Sequence, residues 1–343
     1  MLSKVKIFTG RANPLLAEKI VNHLADENKF LDKIEIKKFA NDNSFVKIKD
    51  SVRGYDVFVI QPTCRSTRTG IISLMSKEEL AQGKDKEDFQ VPGVNDNVME
   101  LLIMIDTLKR ASAGRINCII PYYGYARSDK KDQPRVPVTA KLIADLLTAA
   151  GADRIITMDL HSGQIQGFFD IPVDHLTALS IFKKHFEEML KKQEIVIVSP
   201  DAGGANRARG LADALKCNLA IGDKVRKDNN DKAEVMNIIG EVKGKTAIIF
   251  DDIIDTGGTI VKIAYALKNN GAKRIFAACT HGVLSGNAIT KLSNSVIEKI
   301  FITDTIPIEK GKCDKIEQLS VSYLLSRVIR NIHIDESVSF LGR

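Results

Sequence analysis

The sequence predicts an α/β protein built from two doubly wound parallel-sheet domains, and three observations carry that prediction. Short β-branched apolar runs alternate with amphipathic helical runs along the chain. The strand-like runs are apolar throughout, as strands covered on both faces must be. Two segments, 141–163 and 261–286, also echo each other, as one fold present twice would.

The strand candidates, in order, are VKIF, DVFVIQ, INCIIP, RIITMD, EIVIVS, TAIIF, RIFAAC and KIFIT. Each is short and bounded by polar or glycine-containing turns. Helical patterns lie between them: NPLLAEKIVNHLA, DNVMELLIMIDTLKRA, VPVTAKLIADLLTAAG and GTIVKIAYALKNNG. The first and last end on stop signals, and the third begins beside Pro137. In the internal echo, KLIADLLTAAGADRIITMDLHSG aligns with VKIAYALKNNGAKRIFAACTHGVLSG, so that Gly151 matches Gly271, Arg154 matches Arg274 and His161 matches His281. We place one domain at 1–178 and the other at 179–322, with a tail at about 323–343 that packs back on the first. Residues 65–92 break the alternation and read as a long surface loop with a helical turn at SKEELAQ.

A chain of 343 residues suits two domains of about 150 residues each. Its 44% hydrophobic and 27% charged residues are those of a globular protein. The net charge of +7 comes without a basic run interleaved with aromatics, and there is no tryptophan, which argues against nucleic acid. Small phosphorylated ligands account for the excess. Cys64, Cys118, Cys217, Cys279 and Cys313 are scattered without metal-ligand spacing and read as buried thiols. The run MLSKVKIFTG enters a strand with no signal-peptide apolar region, and no apolar run reaches the roughly 18 residues of a membrane span. A cytoplasmic protein without membrane contact is expected.

The chemistry concentrates in TAIIFDDIIDTGGT, residues 246–259. A strand ending at Phe250 puts Asp251 and Asp252 on the carboxyl edge of a parallel sheet, where doubly wound folds bind ligands. Asp255, Thr256, Gly257, Gly258 and Thr259 then open a helix, and backbone N–H groups of such a turn face an anion. Asp251 and Asp252 have the wrong sign for phosphate. They suit sugar hydroxyls, which donate to carboxylates, or a Mg²⁺ that screens them. A phosphate cradle next to diol-binding acids describes a sugar phosphate.

This stretch resembles the PRPP-binding loop of type I phosphoribosyltransferases, which makes both domains phosphoribosyltransferase-like. NDNVMELLIMIDTLKRASAGRI, IPYYGYARSDKK, TMDLHSGQIQGFFDIPVDHL, VSPDAGGANRARGLAD and THGVLSGNA narrow the resemblance to the ribose-phosphate pyrophosphokinase family, the phosphate-activated class dependent on Mg²⁺ and ATP. The likeness spans nearly the whole chain outside 65–92. It implies transfer of the β,γ-diphosphoryl group of ATP to the 1-hydroxyl of ribose 5-phosphate, with inorganic phosphate as activator, in a homo-oligomer built from dimers up to a hexamer. Ribose 5-phosphate would sit on Asp255–Thr259, with Asp251 and Asp252 on its 2- and 3-hydroxyls. His161 would bind ATP phosphate and Mg²⁺, with Asp201 as second metal partner. Lys224 and Arg226, in the charged stretch DKVRKDNND, would be the catalytic cations of a mobile arm. Arg127, Ser128 and Asp129 would contact ATP, Ser128 standing where relatives carry glutamine. Phe39, Asn41 and Asn43 occupy the adenine-binding segment that a neighbouring subunit supplies, the two asparagines replacing aspartate and glutamate. Arg53, Ser112, Ser337 and Ser339 would line an allosteric phosphate/ADP site.

Two other readings share part of this pattern. A phosphoribosyltransferase that consumes PRPP would keep DDIIDTGGT but has no use for the Phe39, YAR or DLHSGQ segments. A non-catalytic regulatory relative should have lost the basic arm or the acids, all of which are present here.

Overall fold

The computed structural model describes residues 2, 4–24, 30–86, 89–226, 234–309, 311–339 and 341–342. The chain divides into two compact units. The first comprises Met1–Thr177, Thr305–Glu309 and Ser320–Leu341; the second comprises Ala178–Asp304, Lys310–Leu319 and Gly342–Arg343. No helix of the described residues is long and apolar enough to cross a membrane.

The first unit contains β1 (Val5–Thr9), α1 (Pro14–Asn22), β2 (Ile34–Lys38), β3 (Ser44–Ile48), β4 (Asp56–Ile60), α2 (Arg68–Ser73), α3 (Lys77–Ala81), α4 (Val94–Arg110), β5 (Arg115–Ile120), α5 (Thr139–Ala150), β6 (Arg154–Met158) and β7 (Val173–Leu176). Its main sheet runs β1-β4-β5-β6-β7 with every pair parallel. All five residues of β4 are buried, as a strand covered on both faces requires. Leu101, Met104, Ile105 and Leu108 of α4 and Ile143, Ala144 and Leu147 of α5 recur at helical spacing and fill the core over Val57, Val59, Ile116 and Cys118. α1 starts where Asn13 accepts the Leu16 N–H (3.3 Å) and Pro14 occupies the first turn.

Two features depart from the sequence reading. β2 and β3 form a separate antiparallel hairpin. Only Val46 of its ten residues is buried, so the all-apolar signal of a central strand is missing there. The segment 65–92 has α3 within SKEELAQ, where a helical turn is expected, but adds α2 and a 3-10 turn at Lys84–Lys86 to what reads as loop. Within SKEELAQ, Ser76 Oγ accepts the Glu79 N–H (3.1 Å) while Glu79 Oε2 accepts the Ser76 N–H (2.9 Å), a reciprocal cap that fixes α3. Ser66 N–H donates to the Pro92 carbonyl (3.0 Å) and closes the segment at its base.

The second unit contains α6 (Leu179–Leu190), β8 (Ile195–Ser199), α7 (Ala205–Leu215), β9 (Asn218–Arg226), β10 (Glu234–Ile239), β11 (Thr246–Ile254), α8 (Gly258–Asn269), β12 (Arg274–Gly282), α9 (Ala288–Ser293), β13 (Lys299–Thr303) and β14 (Ile316–Leu319). Its sheet runs β10-β9-β8-β11-β12-β13-β14, and only the β9–β10 pair is antiparallel. From β8 the chain builds outward to β10 on one side. It then returns to β11 and builds outward on the other, so the order reverses between β8 and β11.

The internal echo has structural counterparts. Gly151 and Gly271 end α5 and α8 with φ of 109° and 80°, a left-handed conformation that favours glycine. Arg154 and Arg274 open β6 and β12, and each pairs with an acid beside the next strand, Asp174 (2.7 Å) and Glu298 (2.6 Å). The histidines diverge: His161 is exposed after β6, whereas His281 is buried within β12. Cys64, Cys118 and Cys279 are buried, but Cys217 and Cys313 are only half-buried.

After β14 the chain re-enters the first unit as α10 (Ser322–His333), which packs against α1. His333 Nδ1 (2.9 Å), Arg115 Nη2 (2.6 Å) and Asn117 Nδ2 (2.7 Å) converge on the Asp56 carboxylate. Burial alone would raise Asp56, but those hydrogen bonds outweigh it and hold the carboxyl below its usual value. A lowered carboxyl contributes stability that is complete above its unfolded value of about 3.9 and disappears as pH falls through the folded one. Asp56→Asn should therefore cost about 2–3 kcal/mol at pH 7. In thermal unfolding the gap from wild type should shrink as the pH drops below about 4; a gap independent of pH contradicts the ionic role.

Candidate active site

β11 is the longest strand beside the reversal point, and its excess length builds the site. It pairs with β8 only from Thr246 to Ile249, then continues to Ile254 against β12 alone. The strand thus runs four residues past Phe250, where the sequence placed its end, because β12 goes on supplying a ladder. Asp251 and Asp252 therefore sit on a held strand beyond the last β8 partner, and their backbone cannot drift as a loop would.

Arg207, in the first turn of α7, binds both acids. Its Nη1 lies 2.9 Å from Asp251 Oδ1 and 2.9 Å from Asp252 Oδ1. Asp251 Oδ1 also accepts the Asp252 N–H at 2.9 Å. Asp252 is 2% exposed. Burial, then the neighbouring Asp252 carboxyl, push Asp251 up to about 7 against the lowering pull of Arg207. Both carboxylates bind the same guanidinium, and their oxygens are acceptors for hydroxyl donors. Arg207 lies within VSPDAGGANRARG, where sequence alone gives it no part. The visible signal was an arginine six residues after Asp201 near the start of a helix.

Asp201 lies just after β8. Its Oδ1 accepts the Gly204 N–H (2.9 Å) and its carbonyl accepts Ser199 Oγ (2.7 Å), folding DAGG into the turn that launches α7. A Cβ on Gly204 would stand 3.0 Å from Ser199 Oγ and 3.6 Å from Asp251 Oδ1, so a larger residue would crowd the acid pair.

The turn Asp255–Gly257 leads into the N-terminus of α8, a helix of 12 residues. Gly257, with φ of 72°, occupies the left-handed region that lets the chain turn sharply before Gly258 and Thr259. Ser285 Oγ donates to Asp255 Oδ1. The free N–H groups of a helix start and the hydroxyls of Thr256 and Thr259 suit an anion. Asp251, Asp252 and Asp255–Thr259 thus belong to one strand-turn-helix element.

Lys224 and Arg226 lie on β9, in register opposite Met236 and Glu234. The first four residues of the charged stretch DKVRKDNND continue β9, because β10 supplies an antiparallel partner. Residues 227–233 lie outside the described residues.

In the first unit, Phe39 follows β2 at the hairpin tip, 50% exposed and edge-on to Phe45 at 5.6 Å. Asn41 Oδ1 accepts the Asn43 N–H (3.2 Å), so the Asn41 amide braces the turn. Lys38 pairs with Asp96 at 2.8 Å. Asp96 lies on the rim of an open cleft of about 420 Å³ lined also by Gly93, Asn95, Tyr122, Gly124 and Tyr125. Arg127 and Asp129 follow that cleft, Arg127 exposed and Asp129 partly so. Ser128 Oγ accepts the Thr139 N–H (3.2 Å) and holds the start of α5, which gives it a structural task. The sequence reading missed Thr63. It is buried, accepts the Gly124 N–H (2.6 Å) and donates to the Tyr122 carbonyl (3.1 Å), fixing the segment that carries Arg127.

Arg53 forms an isolated bridge with Ala113, next to Ser112, whose carbonyl accepts the Gly54 N–H at 2.9 Å. Ser337 and Ser339 join hydroxyls at 2.9 Å in the turn after α10. His161 belongs to the first unit and Asp201 to the second. Among the described residues no cluster of three or more His, Cys, Asp or Glu groups has metal-ligating geometry.

A sheet reversed beside an acid-bearing strand, followed by a glycine-threonine turn into a helix, defines the phosphoribosyltransferase-like class. Residues 5–151 match the family described as the N-terminal domain of ribose phosphate pyrophosphokinase, and residues 228–343 match the phosphoribosyl synthetase-associated domain. The ribose-phosphate pyrophosphokinase of Clostridium perfringens is 48% identical over 98% of this chain and 97% of its own. That of Caldanaerobacter subterraneus is 50% identical over 99% and 98%. The crystal structure of phosphoribosylpyrophosphate synthetase from Mycobacterium smegmatis superposes with a TM-score of 0.82 at 38% identity, covering 97% of this chain and all of that one. The chain belongs to the ribose-phosphate pyrophosphokinase family.

If Arg207 is what keeps Asp251 from rising further, Arg207→Gln should lift the Asp251 midpoint from about 7 by at least about one unit. Carboxyl ¹³C titration reads this directly; an unchanged midpoint removes Arg207 from the charge balance of the pair.

Proposed function

We propose that the chain transfers the β,γ-diphosphoryl group of ATP to the 1-hydroxyl of ribose 5-phosphate, giving PRPP and AMP for nucleotide biosynthesis. The observation that carries this is the acid pair on Arg207 standing one turn before a phosphate cradle, in a chain that matches ribose-phosphate pyrophosphokinases over its full length.

Asp255–Thr259 bind the 5-phosphate through N–H groups and hydroxyls. Asp251 and Asp252 accept hydrogen bonds from the 2- and 3-hydroxyls, and the closed ring is thereby oriented for attack by its 1-hydroxyl. Phosphoryl transfer demands positioning and charge stabilisation more than a protein nucleophile. Lys224 and Arg226 supply cations for charge building on the transferred group and on the oxygen that leaves with AMP. Arg127, Ser128, Asp129 and His161 take ATP, and Phe39 stacks on its base, with Asn41 and Asn43 beside it.

Mg²⁺ would be held by Asp201 and His161: the Asp201 carboxylate is a hard oxygen donor, as that ion prefers, and the imidazole of His161 is the weaker ligand. Mg²⁺ when bound would neutralise the triphosphate. Phe39, half-exposed at a hairpin tip, serves a neighbouring copy, so the chain works as a homo-oligomer of dimers up to a hexamer. Arg53, Ser112, Ser337 and Ser339 take inorganic phosphate as activator, or ADP. The enzyme is cytoplasmic.

The asparagines at 41 and 43 favour a second reading, a nucleotide-binding regulatory relative without turnover. Incubation with ribose 5-phosphate, ATP and Mg²⁺ separates the two. The enzyme should release AMP and PRPP in equal amounts, and Lys224→Ala should reduce kcat by about 100-fold or more while ribose 5-phosphate still binds. No PRPP above background, with phosphate present, would establish the regulatory reading.

A further inference from the structure

The phosphate turn itself carries no cationic side chain to match a sugar phosphate. A sugar phosphate brings close to two negative charges at pH 7, and Asp255 adds another. Asp255–Thr259 contains no lysine or arginine. The start of α8 offers the equivalent of roughly half a positive charge. Arg207 is engaged with Asp251 and Asp252.

A cation reaches the turn from α9. Lys291 Nζ donates to the Thr256 carbonyl at 3.4 Å. Its placement is built, because Ala288 and Leu292 on the same helix are fully buried against the turn. A Cβ on Gly257 would lie 3.3 Å from Leu292 Cγ and 3.7 Å from the Ala288 carbonyl. The preceding segment holds the turn too: Leu284 N–H donates to the Ile254 carbonyl (3.1 Å), and Ser285 ties down the Asp255 carboxylate. Residues 284–292 therefore touch Ile254, Asp255, Thr256 and Gly257 in succession.

We infer that Lys291 is the counter-ion of the sugar's 5-phosphate, and that the 284–292 segment selects phosphorylated pentoses over unphosphorylated ones. The inference rests on the reading that Asp255–Thr259 hold a phosphate. Lys291 is exposed, and its four-carbon stem lets the ammonium leave the Thr256 carbonyl for a phosphate oxygen by rotation about side-chain bonds. A neutral carbonyl is a weaker partner for an ammonium than an anionic phosphate oxygen, which adds the attraction of opposite charges. The bond to the Thr256 carbonyl holds the cation beside the turn on which it acts.

Lys291→Gln, Lys291→Arg and Thr259→Ala test this together in steady-state kinetics. Lys291→Gln should raise the KM for ribose 5-phosphate about tenfold, the loss of one hydrogen bond to a charged group, with kcat and the KM for ATP little changed. Lys291→Arg should restore most of that loss, and the KM of Lys291→Gln should depend less steeply on salt than that of the wild type. An unchanged KM for ribose 5-phosphate in Lys291→Gln, or an equal rise in the KM for ATP, overturns the assignment. Thr259→Ala separates the layers: if it weakens ribose 5-phosphate while Lys291→Gln does not, the turn stands and Lys291 falls; if neither variant changes the KM, both fall.

Discussion

The site depends on one arrangement, two adjacent carboxylates and a single guanidinium held beyond the end of a neighbouring strand. Two like charges about 4 Å apart repel by about 4 kcal/mol at an effective dielectric near 20, and burial adds a desolvation cost. Arg207 offsets part of this, while burial and the Asp252 carboxyl still push Asp251 upward. The remaining imbalance is useful in a binding site. Groups that donate hydrogen bonds, or that carry positive charge, are favoured there more than water. The fold keeps the pair from relaxing: β11 is laddered to β12 through Ile254, and Gly204 leaves room for Arg207 to reach both acids.

The same strand then hands over to a turn of opposite electrostatic character within three residues. Asp251 and Asp252 attract donors, and Thr256–Thr259 attract an acceptor. A ligand that satisfies both carries hydroxyls at one end and an anion at the other, as a sugar phosphate does. Reversal of the strand order between β8 and β11 explains why these groups meet here, since that is where loops from the two sides of the sheet diverge and leave a crevice. The buried carboxylate network around Asp56 does a different kind of work, joining α10 to the first sheet through Arg115 and His333.

Much of this was legible in the residues. Fully apolar strands and helical runs between them were found where the periodicity placed them, because a parallel sheet covered on both faces leaves no ambiguity about which residues are buried. DDIIDTGGT reads as a sugar-phosphate element through its charge and glycines, and it forms one strand-turn-helix element. What escaped had physical causes. The β2–β3 hairpin is half-solvated and short, so its alternation is faint. β9 continues through Lys224 and Arg226 despite their charge, because pairing with β10 overrides composition. Arg207, Thr63 and Lys291 matter through partners 44, 61 and 35 positions away, a separation no local pattern reports.

The central claim is a division of labour along one strand and turn, with the acids on the diol and the turn on the phosphate. Comparing ribose 5-phosphate with 2-deoxyribose 5-phosphate tests it most directly, because the two differ only in a hydroxyl assigned to the acid pair. The account predicts that the deoxy sugar binds about 10- to 100-fold more weakly, the cost of leaving a carboxylate acceptor unmatched. It also predicts that Asp252→Ala removes most of that preference. Equal affinity for the two sugars, or a preference that survives in Asp252→Ala, would contradict it.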